Sequence, residues 1–369
     1  MKKTLWPILF LLLMACTQKD KIHYPETRKV DTVDNYFGTK VPDPYRWLED
    51  DNSPETKAWV RAEDSVTENY LSKIPFRNKI KERLTKVWNY EKMSTPFEQG
   101  GKYFYRKNNG LQDQDVFYVQ DNLQGKSRVL IDPNKLSEDG TVAVSAFSVS
   151  KDGKYLAYGL STGGSDWVEL HVKNINSGED LPDLIKWVKF SNVSWYKDGF
   201  YYSRYAAPKE GAALSGVNEY QMVYFHKLGT PQDEDKMIYR NNNDPKKMYA
   251  AAVTEDENYM LLIESDWTSR GNELYVRDLN KDHGELVKLT ENLDYSYTPV
   301  AAVEGGLFVI TNNSAPNKKL IRYDLKNPGK DNFSVIIPEK KDVLDDCSIA
   351  DKKLLVNYMK DVHSVVEIY

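Results

Sequence analysis

Asp152-Gly153-Lys154-Tyr155-Leu156-Ala157-Tyr158 joins a tight-turn signal to a short run of aromatic and aliphatic residues. Glycine accepts a positive φ, and Tyr and Leu suit a pleated, half-buried surface, so the stretch reads as a hairpin turn entering a strand. The unit recurs. Gly100-Gly101 leads into Tyr103-Phe104-Tyr105, Asp198-Gly199 into Phe200-Tyr201-Tyr202, and Glu257-Asn258 into Tyr259-Met260-Leu261-Leu262. Gly305-Gly306 leads into Leu307-Phe308-Val309-Ile310, and Asp351-Lys352 toward Leu354-Leu355-Val356. The turns fall roughly 50 residues apart, the period of a propeller blade. Third and fourth strands follow, as in Leu320-Ile321-Arg322-Tyr323 and then Val335-Ile336-Ile337. No helical period intervenes, which disfavours a parallel α/β fold. The expected fold is mostly β, a β-propeller over residues 90–369 with about six blades begun. Val365-Val366-Glu367-Ile368-Tyr369 reads as the third strand of the sixth blade, so the propeller is expected to be truncated there.

Upstream, residues 17–89 read as a polar tether and a helical segment. Ser53-Pro54-Glu55 supplies an N-cap, a first-turn proline and an early acid. Trp59, Val60, Val66, Tyr70 and Leu71 then fall largely on one helical face, and Pro75 breaks the run. Ile80, Leu84, Val87 and Trp88 predict a second amphipathic helix, and both faces call for a packing partner.

The first sixteen residues read as a targeting segment. Lys2 and Lys3 precede an apolar stretch of about ten residues, too short to span a bilayer. It ends in Leu13-Met14-Ala15-Cys16, which resembles the lipobox of bacterial lipoproteins, with Cys16 as the lipidated residue. Thr17 in place of Asp suggests the outer membrane. The expected location is outside the cytoplasm, lipid-anchored and facing the periplasm or the cell exterior. With Cys16 lipidated, Cys347 has no disulfide partner and reads as a buried structural thiol.

Of the 369 residues, 40% are hydrophobic and 28% charged, which describes a globular chain, and 25 Tyr and 8 Trp lean it toward sheet. A net charge of −5 without a basic run excludes nucleic acid as an expected partner. Gly159-Leu160-Ser161-Thr162-Gly163 fits the G-x-S-x-G nucleophile elbow, which needs a strand before it and a helix after it. Asp166-Trp167-Val168-Glu169-Leu170-His171-Val172 follows as another strand, so the match reads as a hairpin turn. His23, His171, His226, His283 and His363 form no metal-binding pair, and neither a metal nor another cofactor is expected. The residues thus describe a scaffold or filter, with no catalytic residue of its own.

Several stretches together resemble the prolyl oligopeptidase family. They are Asp43-Pro44-Tyr45-Arg46-Trp47-Leu48-Glu49, Arg83-Leu84-Thr85-Lys86-Val87-Trp88-Asn89-Tyr90, Gly164-Ser165-Asp166-Trp167 and Val188-Lys189-Phe190-Ser191. Tyr224-Phe225-His226-Lys227-Leu228-Gly229-Thr230 and Thr311-Asn312-Asn313-Ser314-Ala315-Pro316-Asn317 follow in the family's order. The resemblance implies a two-domain serine endopeptidase that cleaves short peptides after proline. In that family a seven-bladed propeller caps an α/β-hydrolase domain and filters substrates by size, and the N-terminal helices pack on the hydrolase domain. The hydrolase domain, with its Ser, Asp and His, is expected beyond residue 369, so this chain is expected to be inactive alone. By resemblance Phe190 and Met248 face bound peptide, whereas Ser265 and Thr268 stand where characterised members carry an arginine and a cysteine. The alternative is a lipid-anchored propeller that binds peptides or proteins without catalysis. A WD-type scaffold is disfavoured by the missing Gly-His and Trp-Asp signatures.

Lipidation predicts that Cys16→Ala leaves an uncleaved precursor or releases the protein from the membrane fraction. Unchanged processing and fractionation of that variant refute the assignment.

Overall fold

The computed structural model describes residues 21–209, 211–214, 216–282 and 284–369; the targeting segment, Cys16 and His283 lie outside these. The chain divides between Trp88 and Asn89 into two compact units.

In the first unit a hairpin pairs Val33–Tyr36 with Thr39–Pro42. It was not legible in the sequence, because its residues are almost all exposed and show no core-facing alternation. Arg46 explains the Asp43–Glu49 signature: its guanidinium bonds Asp34 in the hairpin, Asp43 at 2.6 Å and Glu49 at 3.4 Å. Helix α1 (Pro54–Ser72) begins as its cap signal predicts, with the Ser53 hydroxyl accepting from the Thr56 N–H at 3.1 Å. Helix α2 (Arg77–Trp88) follows and has no buried residue. Val60, Tyr70, Ile80, Leu84 and Val87 are exposed. Among the described residues no helix is long and apolar enough to cross a membrane.

The second unit is a succession of six antiparallel blades. In blade 1 the split strand Lys92–Met93 and Phe97–Gln99 pairs with Lys102–Asn108, followed by Val116–Gln120 and Arg128–Ile131. Blade 2 is Val142–Val149, Tyr155–Thr162, Val168–Asn174 and Asp180–Val188. Blade 3 is Ser194–Tyr196, Gly199–Arg204, Met222–Lys227 and Lys236–Arg240. Blade 4 is Met248–Val253, Tyr259–Ser265, Glu273–Asp278 and Val287–Lys288. Blade 5 is Tyr297–Val303, Gly306–Thr311, Lys319–Asp324 and Phe333–Ile337, and blade 6 contains Val343–Ala350, Lys353–Lys360 and His363–Ile368.

Each recurring turn joins the first and second strands of a blade, though two lie one residue earlier than the sequence suggested. The turn residues are Lys197-Asp198 and Glu304-Gly305, because Gly199 and Gly306 already pair in strands. The turns of blades 2 and 4 share a pattern of side-chain hydrogen bonds. Ser150 and Thr254 each bond their own Asp, Asp152 at 2.8 Å and Asp256 at 2.6 Å. Each Asp accepts at 3.1 Å from the N–H two residues on, Lys154 or Asn258. Gly153 and Glu257 occupy the same left-handed position, with φ of 68° and 58°.

Five apolar clusters hold successive blades face to face. Phe104, Val119 and Ile131 of blade 1 meet Leu156 and Tyr158 of blade 2, while the intervening Ala157 turns the other way to join Phe200 and Tyr202 of blade 3. Tyr201 faces Met260 and Leu262 of blade 4, whose Leu261 points on to Leu307 and Val309 of blade 5. Ile310 then meets Leu344, Cys347 and Val356 of blade 6. Burial pushes the Cys347 thiol pKa up, keeping it protonated and unreactive.

Between blades 2 and 3 the contact is also ionic. His226 Nε2 lies 2.9 Å from Asp183 of blade 2, and its Nδ1 lies 2.7 Å from Asp235, with these side chains fully buried. The Tyr202 hydroxyl donates to Asp235 at 2.6 Å and the Gly229 N–H to Asp183 at 2.7 Å. Burial lowers the imidazole pKa, but the bonds to Asp235 and Asp183 outweigh it and hold it above the ordinary value. A raised folded pKa gives stability that is complete below the unfolded value of about 6.5 and fades as pH rises through the folded value. The denaturation midpoint is therefore expected to fall as pH rises above neutrality. His226→Gln should flatten that dependence while lowering stability by roughly 3–5 kcal/mol, the cost of unpairing a buried ion pair. Parallel pH profiles for the two proteins, measured by denaturant titration, would contradict the ionic assignment.

Candidate functional site

The backbone gathers Phe190, Met248, Ser265 and Thr268 at one end of blades 3 and 4. Met248 opens the first strand of blade 4 and stands directly opposite Ser265 at the end of the second. Thr268 lies in the turn that follows, where both its N–H and its hydroxyl donate to Asp266 at 2.7 Å. Phe190 occupies the loop entering blade 3. Its φ of 52° is left-handed, an uncommon conformation for a bulky side chain.

Phe190 is 42% exposed, and its ring meets the edge of Trp267 at 5.0 Å and 80°. Trp267, 69% exposed, is the largest side chain in this group and was missed in the sequence. Its available signal was the Asp266-Trp267-Thr268-Ser269 turn, in which an Asp carboxylate caps the following N–H groups. The Lys189 ammonium lies 5.4 Å from the Phe190 ring and 4.9 Å from Trp167, and 3.6 Å from Asp166. Two of the family-like stretches, Gly164–Trp167 and Val188–Ser191, thus meet around one lysine. Trp167 is set by its indole N–H donating to the Ala213 carbonyl at 2.6 Å.

Behind this surface lies a charged layer. Lys247 bonds Asp266 at 2.9 Å and approaches Glu264 at 3.7 Å. Burial opposes ionisation of Asp266, yet the Lys247 ammonium and the donors of Thr268 and Ser269 hold its carboxyl well below the usual range. Burial and the neighbouring Glu273 push the Glu264 carboxyl pKa up. Asp266 therefore anchors the Trp267 turn as a fixed anion.

The first strand of blade 4 is stitched to blade 3 by side chains. The Tyr249 N–H donates to the Gln221 carbonyl oxygen at 2.6 Å, and the Tyr249 carbonyl accepts from the Ser203 hydroxyl at 2.6 Å. Asn192 donates to the Ala251 carbonyl at 2.7 Å, and the Val253 N–H donates to Ser194 at 2.9 Å. Asn272 does the same one blade on, bonding both backbone groups of Tyr297 at 2.8 and 2.9 Å. The aromatic rings of Phe190 and Trp267 thus stand exposed beside a lysine, on backbone fixed in this way.

The remaining sequence candidates lie elsewhere. Ser161 is within strand Tyr155–Thr162, paired with Ala143, rather than in the turn itself; the chain returns through Gly163 and Gly164 into strand Val168–Asn174. The elbow geometry is therefore not formed, and among the described residues no histidine bonds Ser161. His226 is enclosed by carboxylates, as described. Among the described residues no group of three or more His, Cys, Asp or Glu is arranged to hold a metal ion.

Residues 24–369 match the family described as prolyl oligopeptidase, N-terminal beta-propeller domain. The chain is 41% identical over 358 residues to a prolyl endopeptidase of Elizabethkingia meningoseptica, covering 96% of this chain and 50% of that one. It is 38% identical to a prolyl endopeptidase of Elizabethkingia miricola, covering 96% and 50%. Prolyl oligopeptidase B from Galerina marginata, solved bound to a 35mer hydrolysis and macrocyclization substrate, superposes with a TM-score of 0.78. It is 30% identical, covering 94% of this chain and 52% of that one. The chain spans about half the length of the curated relatives it matches. By the extent of the family match, this chain belongs to the prolyl oligopeptidase family and forms its N-terminal β-propeller portion.

Proposed function

We propose that this chain is the substrate-admitting part of a serine endopeptidase that cleaves short peptides after proline. The observation that carries this is the gathering of Phe190, Met248 and Trp267 at one end of blades 3 and 4, in a chain matched over nearly its whole length by prolyl endopeptidases. In this reading the aromatic surface contacts residues of the peptide upstream of the scissile proline, at the outer subsites. The propeller limits entry to unfolded chains. The catalytic Ser, Asp and His belong to a hydrolase domain outside residues 1–369. Lys189 supports this reading, since its ammonium, held over the Phe190 and Trp167 rings, adds positive charge beside the apolar surface. With Ser265 where an arginine stands in characterised members, grip on the peptide backbone shifts from a charged fork to apolar contact.

Export and lipid anchoring at Cys16 are part of the same proposal. They place the enzyme where peptides from outside the cytoplasm reach it.

The test compares the 369-residue chain with the full product of its gene. The full product should cleave a Gly-Pro reporter and unfolded proline-containing peptides, and spare the same sequence held within a folded protein. The 369-residue chain should cleave neither and remain unlabelled by a fluorophosphonate probe. Cleavage by the shorter chain, or labelling lost in Ser161→Ala, overturns the division of labour. Failure of the full product to cut after proline leaves the peptide-binding module without catalysis as the function.

A further inference from the structure

We infer that Gln221 is a positioning residue that sets the peptide-facing surface by locking Phe190 against Trp267. The inference rests on the function proposed above. Gln221 is 0% exposed, immediately ahead of strand Met222–Lys227 of blade 3. Its amide N–H groups donate to the carbonyls of Lys189 at 2.8 Å and Phe190 at 3.4 Å. Its carbonyl oxygen accepts from the Tyr249 N–H at 2.6 Å. One buried side chain thus joins the loop that carries Phe190 to the strand that Met248 opens.

An amide is required chemically. The partners are two carbonyls and one N–H, so the side chain must donate at one end and accept at the other. A carboxylate of the same length accepts but cannot donate, and a thioether does neither well. The bonds to Lys189 and Phe190 also act where the backbone is left-handed, at φ 52° for Phe190, a conformation that persists only when its surroundings hold it. Ser203 supports the same junction, its hydroxyl bonding the Tyr249 carbonyl and its N–H donating to the Ser191 hydroxyl at 2.7 Å. Among the described residues only Gln221 hydrogen-bonds the carbonyls of residues 189 and 190, so it holds the backbone from which the Phe190 ring projects. That ring meets Trp267, whose own turn is fixed by Asp266 and Lys247. Gln221 therefore acts on substrate through Phe190, at subsites remote from the scissile bond.

The proposal predicts a split between substrates. In the full product of the gene, Gln221→Met should raise KM about three- to tenfold for peptides extended upstream of proline, the loss expected for one or two orienting hydrogen bonds. The value of kcat should stay within about twofold, as should both constants for a blocked Gly-Pro reporter too short to reach Phe190. Trp267→Ala, at an exposed position that the fold tolerates, should show the same split. The double variant should be no worse than the worse single variant, since both act through one contact. Equal losses on short and extended substrates, or multiplicative losses in the double variant, overturn the positioning role.

A second readout needs no catalysis. With 5-fluorotryptophan incorporated, the 19F resonance of Trp267 in the 369-residue chain should shift in Gln221→Met as it does in Phe190→Ala, because the ring current of Phe190 is lost in both. An unchanged resonance in Gln221→Met overturns the locking of Phe190. An unaltered full product that cuts no proline peptide overturns the proposed function, and with it the peptide-facing role, even where the resonance shifts.

Discussion

The second strand of each inner blade is buried on both faces, and this constraint organises the whole second unit. A strand in an ordinary two-layer fold needs one apolar face; here neighbouring blades cover both. Tyr155–Thr162 sends Leu156 and Tyr158 toward blade 1 and Ala157 toward blade 3, and Tyr259–Ser265 divides Met260 and Leu262 from Leu261 in the same way. The period-two geometry of the strand is thereby converted into a propagating stack. Each inner blade is held through its two neighbours, so the five clusters stabilise the unit jointly. Side-chain amides and hydroxyls add to this along the first strands, where Gln221, Ser203 and Asn272 bond backbone groups that a sheet edge would otherwise leave open.

That constraint also explains which features could be read from the chain. Continuous apolar runs behind Gly or Asp turns were visible because double burial demands them, and the roughly 50-residue spacing followed from the blade. The displaced turn at Glu304-Gly305 was harder, since Glu304 takes φ of 51° where the sequence offered a pair of glycines one step later. The Val33–Pro42 hairpin gave no signal because it buries almost nothing. Phe190 and Met248 were placed by resemblance alone; nothing in their local pattern distinguishes them from core. Gln221 was invisible for a different reason. Its partners lie 28 to 32 residues away and are backbone atoms, so no side-chain pattern encodes the contact.

The proposed peptide-facing surface is therefore a product of strand ends and loops rather than of any motif. Ser265 and Thr268 come to lie beside Trp267 because the second strand of blade 4 ends there, and Asp266 fixes the turn as an anion. Lys189 ties the surface back to Trp167 of blade 2. Three consecutive blades thus contribute to one patch, which makes its shape sensitive to how blades 2, 3 and 4 pack, including the buried His226 ion pairs at the first of those junctions.

The paired turns of blades 2 and 4 carry a consequence for how such a chain diversifies. Ser150–Tyr155 and Thr254–Tyr259 share the hydroxyl–carboxylate and carboxylate–backbone bonds of the turn, so the two six-residue segments encode the same shape. They differ at the left-handed position, where Glu257 shows that a side chain is compatible with the dihedral. Gly153 is held to glycine by its surroundings instead: a Cβ there would sit 2.9 Å from the Gly100 carbonyl oxygen and 3.1 Å from its Cα. Swapping the segments is accordingly one-directional. Blade 4 would accept the turn of blade 2, giving up a charge near Lys151, whereas blade 2 would reject the turn of blade 4. Two blades with interchangeable shapes have become non-interchangeable sequences, through a neighbour that neither turn contains.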